Sequence, residues 1–129
     1  MLAGGAACAQ SVTFKDRQIS MLVGYGPGTG NDLYMRAVQR HLGKHLPGTP
    51  EITPVNMPGA ASLTMLNYIA NASARDGTVI GMPSRNLVTE PLIGNDQARY
   101  DGAKLSWIGS VTKDVSVCLT WHASGIRTL

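Results

Sequence analysis

The stretch "LVGYGPGTGNDLYMRAVQRHL", Leu22 to Leu42, decides how the chain is read. It begins apolar, crosses Gly24, Gly26, Pro27, Gly28 and Gly30, and passes at once into helical spacing. An apolar run that ends in glycines and restarts as a helix predicts a strand–loop–helix unit. Such a loop brings bare backbone N–H groups to a helix N-terminus, an arrangement suited to a small anion. The same glycines also serve a chain that only has to turn tightly. Spacing alone leaves both readings open.

Outward from this stretch, "ISMLVG" (Ile19 to Gly24) predicts a buried strand. Asn31 and Asp32 are N-cap candidates for the helix that follows. Its inner side is expected to carry Tyr34, Val38, His41, Leu42 and His45 or Leu46, and Pro47-Gly48 ends it. The pattern then repeats. "EITPVNM" (Glu51 to Met57) reads as a second strand, with Pro54 pointing to an edge or an irregularity. "PGAAS" (Pro58 to Ser62) is a second glycine–proline turn, and Leu63, Leu66, Ile69 and Ala70 line one face of a second helix. Asp76-Gly77 turns the chain into a third strand, "TVIGM". Two strand–loop–helix units leading into another strand predict an α/β fold with a parallel βαβαβ sheet flanked by helices. Ligands of such sheets sit beyond the carboxyl ends of the strands, so the two glycine loops are expected to be neighbours.

The last third predicts a short helix and turn over "NLVTEPLIGND", then strands over "KLSWIGSV" (Lys104 to Val111) and "VSVCLTW" (Val115 to Trp121). At the other end, "MLAGGAACAQS" places Ala7-Cys8-Ala9 like a signal-peptidase site, and residues 1–13 are read as the tail of a secretory leader. Residues 14–114 form one α/β lobe in this reading, and 115–129 a crossover strand toward a second lobe.

Composition narrows the function. The 129 residues carry 11 Lys/Arg against 8 Asp/Glu, a net charge of +3, and one Phe. Basic runs and aromatic stacking platforms are absent, which argues against nucleic acid as a partner. Gly-Lys-Ser/Thr does not follow the first loop, so it is no P-loop, and the glycine spacing misses the dinucleotide fingerprint. No cofactor is implied. His41 and His45 stand one turn apart without a third ligand, and Cys8 and Cys118 form no metal motif. A hydrolase would need Ser62 or Ser84 as nucleophile with His41, His45 or His122 as base, and no G-x-S-x-G elbow supports one. That reading and a non-catalytic, self-associating module stand as alternatives.

Taken in order, "GYGPGTGNDLYMRAVQRHLGKHLPG", "VNMPGAASLTMLNYIAN", "ARDGTVIGM" and "YDGAKLSWIGSVTKDVSVCLTWHASGIRTL" resemble the Bug-type solute receptors of tripartite tricarboxylate transporters. The resemblance runs from about Ile19 to Leu129. It implies a periplasmic protein with a type II periplasmic-binding fold, two α/β lobes closing on a small carboxylate or related solute, and membrane transporter subunits as partners of the full-length receptor. It maps ligand contacts onto Gly26, Pro27, Gly28, Thr29, Gly30 and Asn31, and onto Pro58, Gly59, Ala60, Ala61 and Ser62. Receptors of this family are more than twice as long, so the resemblance also implies a fragment largely lacking the second lobe, with self-association through the incomplete part.

Overall fold

The computed structural model describes residues 12–113, 115, 117 and 119–126. The leader reading at residues 1–11 and both cysteines lie outside the described residues.

Three parallel strands form the sheet, β1 (Gln18–Val23), β2 (Glu51–Asn56) and β3 (Val79–Met82), in the order β2-β1-β3. The helix α1 (Gly30–Leu42) connects β1 to β2, and α2 (Leu63–Asn71) connects β2 to β3. With β1 central, the chain steps first to one side of it and then to the other. Right-handed crossovers in opposite directions place the two helices on opposite faces of the sheet.

Side-chain alternation confirms that division. Ile19, Met21 and Val23 of β1 pack with Ile52 of β2, Ile80 and Met82 of β3, and Met35, Val38 and Leu42 of α1. In register with Met21 and Val23 stand Ile80 and Met82, so these residues share one face. Leu22 pairs with Gly81 on the other face, where a Cβ on Gly81 would overlap the tip of Ile69 from α2. A glycine there lets α2 lie close to the strands. Both faces of β1 are covered, which is why its sequence is nearly continuous in apolar residues.

Strand positions match the sequence reading to within a residue or two. Pro54 sits regularly opposite Met21 in β2, which is an edge strand and spares the ladder the missing N–H. The inner face of α1 needs correction. Met35 is fully buried, whereas Tyr34 is half exposed and His41 exposed, so the buried stripe is Asp32, Met35, Val38 and Leu42.

The expected strands in the last third are also overturned. A 3-10 turn covers Gly102–Lys104, and no described residue of 105–121 lies in a strand. Trp107, Ile108, Val115, Val117, Leu119 and Trp121 are between 51% and 90% exposed. Alternating apolar residues state which face a strand would bury, but they supply no sheet edge to pair with. The segment 83–105 does close a second small cluster, with Leu87 against Leu63 and Leu66, and Ala98, Tyr100 and Leu105 packed around them. No helix among the described residues is long and apolar enough to cross a membrane.

Candidate functional site

Both glycine loops emerge at the carboxyl end of the sheet, and they meet at one point. A Cβ on Gly24, just after β1, would overlap the side chain of Ser62 and lie 2.5 Å from its Cα. Ser62 is fully buried at the start of α2. The N–H of Met57 reinforces the junction by donating to the Val23 carbonyl at 2.8 Å. Only glycine at position 24 permits this approach.

In the first loop, Thr29 caps α1, with its hydroxyl accepting from the Asp32 N–H at 3.4 Å and donating to the Gly26 carbonyl at 2.9 Å. This replaces the expected caps at Asn31 and Asp32, because the helix begins two residues earlier and Asp32 is occupied elsewhere. Its carboxylate turns inward and is 1% exposed. It accepts from Gly28 N–H at 2.8 Å, Arg36 Nε at 3.0 Å and Asn56 Nδ2 at 2.8 Å. Asn56 Nδ2 also donates to the Tyr25 carbonyl at 2.9 Å, and Arg36 Nη2 donates to Asn56 Oδ1 at 3.1 Å. The Arg36 hydrogen bond, then those of Gly28 and Asn56, hold the Asp32 carboxyl down from the usual 3.8 to about 2. The loop is therefore tied to the last residue of β2 by a closed set of polar contacts. Its one acid is neutralised and faces away from solvent.

The second loop is backbone-strained. After Gly59 (φ 148°), Ala60, Ala61 and Ser62 have φ of 44°, 51° and 80°. Left-handed backbone costs a non-glycine residue on the order of 1–2 kcal/mol. Three in succession persist only where packing imposes them, and such strain concentrates at functional positions. Here the imposing contacts are Ser62 against Gly24 and the buried Leu63, Met65 and Leu66 of α2. The Ser62 hydroxyl has no hydrogen-bond partner among the described residues and makes no cap.

These loops leave donors free. The N–H groups of Gly30 and Asn31, in the first turn of α1, have no acceptor among the described residues, nor do those of Ala60 and Ala61 before α2. Orphan donors at a helix start, together with the positive end of the helix dipole, favour an anion. Of the positions singled out from sequence, Pro27, Gly28, Thr29, Gly30, Pro58, Ala60 and Ala61 are exposed, Gly26, Asn31 and Gly59 are half-buried, and Ser62 is buried. Gly24, Arg36 and Asn56 were not singled out. The i, i+4 spacing of Asp32 and Arg36 was a readable signal for that pair, whereas nothing local points to Asn56 or Gly24.

Serine and histidine do not come together. Ser84 donates its hydroxyl to Asn86 Oδ1, the His122 ring lies tilted against that of Trp121 with centroids 4.5 Å apart, and no histidine bonds a serine among the described residues. His41, in the last turn of α1, and His45, just after it, are exposed at the opposite end of the helix from the loops, and the described residues contain no group of three metal-ligating side chains.

The chain is similar to a UPF0065 protein of Bordetella bronchiseptica, with 31% identity over 104 residues. The matched part covers 81% of this chain and 30% of that relative. No family model and no solved structure matches the chain.

Proposed function

We propose that the chain is the first-lobe portion of a Bug-type extracytoplasmic solute-binding protein, and that its two βα loops supply half of a site for a small carboxylate. The observation that carries this reading is the left-handed Ala60–Ser62 turn, pressed against Gly24 with free N–H groups at the carboxyl end of the sheet. A chain that only needed to turn has cheaper ways to do so. The partial match to a UPF0065 protein, a name that goes with the Bug-type family, supports the reading. In this reading no bond is made or broken. The ligand carboxylate accepts from Gly30 and Asn31 on one side and from Ala60 and Ala61 on the other. The inward Asp32 keeps its charge out of the way. A transporter's membrane subunits are the partners of the whole receptor.

A thermal-shift titration against mono-, di- and tricarboxylates tests the proposal. A melting temperature that rises with one class of carboxylate supports it, since a ligand of the folded state stabilises by mass action. A cooperative melt that no carboxylate moves refutes it. The exposed apolar residues from Trp107 to Trp121 favour one further reading, self-association through that segment. Light scattering across a range of protein concentrations tests that separately.

A further inference from the structure

Beside the strained turn, an open groove follows α2 from Ala60 past Thr64 and Tyr68 to Asn71, and Gln97 and Arg99 form its other wall. That wall is fixed by two side-chain amides. Asn67 Nδ2 donates to the Gln97 carbonyl at 2.9 Å, and Asn67 Oδ1 accepts the Arg99 N–H at 2.8 Å. Asn71 Nδ2 donates to the Arg99 carbonyl at 2.8 Å. Both backbone groups of Arg99 are thus held, as they would be in a sheet.

Its guanidinium, by contrast, has no hydrogen bond or ion pair among the described residues. Arg17 holds Asp76, Arg36 holds Asp32, and Arg75 donates to the Ala70 carbonyl. No acidic residue lines the groove. A positioned backbone under an uncommitted planar cation is an arrangement that suits bidentate capture of a carboxylate. The Arg99 backbone is bonded to Asn67, four residues into α2 from Leu63, the residue after the turn, or about 6 Å along the helix axis. A short-chain dicarboxylate and an arginine side chain together cover that span.

We propose that Arg99 is a specificity-determining residue, holding the second carboxylate of a dicarboxylate whose first is held by the Ala60–Ser62 turn. This rests on the carboxylate reading above and adds to it the choice between mono- and dicarboxylates. The test is calorimetric titration of glutarate and of pentanoate, its single-acid counterpart, into the wild-type chain, Arg99→Gln and Arg99→Lys. Arg99 is exposed and its backbone contacts do not involve the guanidinium, so the variants keep the fold, which circular dichroism checks. Wild type is expected to bind glutarate about tenfold or more tightly than pentanoate, the scale of a charge-assisted hydrogen bond. Arg99→Gln removes that preference and leaves pentanoate unchanged, while Arg99→Lys retains part of it. Glutarate binding unchanged in Arg99→Gln overturns the role of Arg99 and leaves the turn site standing. A wild-type chain that takes up neither acid overturns both.

Discussion

Substituting Gly24 by alanine is the sharpest perturbation of the loop junction. The added Cβ would lie 2.5 Å from Ser62 Cα and overlap its side chain, where carbon atoms need about 3.5–4.0 Å. The two loops would have to part by roughly 1–1.5 Å. Neither can do so freely, because Ser62 is fully buried and the Met57–Val23 hydrogen bond spans the same point. Overpacking of this kind costs about 1–3 kcal/mol, and a backbone atom that cannot rotate away puts the expectation at the upper end. At about 4 °C per kcal/mol for a chain of this size, the melting temperature falls by roughly 8–12 °C. Urea unfolding followed by circular dichroism measures the loss, with Gly26→Ala as control, since a Cβ on Gly26 meets nothing within 4 Å. Ser62→Gly in the Gly24→Ala background removes the overlapping side chain and is expected to recover part of the loss, a coupling a double-mutant cycle reads directly. Equal stability of Gly24→Ala and Gly26→Ala would refute the close approach of the loops.

Gly81→Ala meets only the tip of Ile69, which can rotate, so its cost stays below that of Gly24→Ala in the same urea assay. Gly28 has φ of 82° and open space around it, so Gly28→Val strains the loop by about 1–2 kcal/mol without a clash. Carboxylate binding in a thermal-shift titration is expected to fall with it while a cooperative melt persists. Because the Asp32 carboxyl sits at about 2 in the folded protein against the usual 3.8, its contribution is complete above the higher value and is lost as pH falls through the lower one. Urea midpoints measured from pH 5 to pH 2 should therefore drop between about 4 and 2, and the Asp32→Asn variant, weaker at neutral pH, should lose less over that interval.

Much of the fold was legible because the βα units carry local signals. β1 is a nearly continuous apolar run, the loops are marked by glycine and proline, and Pro54 pointed to an edge or an irregularity, of which the structure has the edge. The segment after Tyr100 misled most, since Val115, Val117, Leu119 and Trp121 alternate like a strand yet join no strand among the described residues, while the inner face and cap of α1 were each misplaced by a few residues. Within the site, the two loops could be located but not the devices that shape them. Gly24 matters through Ser62, 38 positions later, and Asn56 through Asp32 and Tyr25, 24 and 31 positions away. The left-handed turn falls on Ala60, Ala61 and Ser62, residues whose own preferences point elsewhere. Tertiary packing overrides those preferences, and no local pattern records it.

The central claim is that four backbone donors, two from each loop, face one anion. An amide-resolved nuclear magnetic resonance titration with a carboxylate series tests it most directly. The account predicts that the N–H signals of Gly30, Asn31, Ala60 and Ala61 shift together along one saturating curve, while those of the α1 C-terminal turn stay still. Shifts confined to one loop, or absent from both at saturating carboxylate, would contradict it.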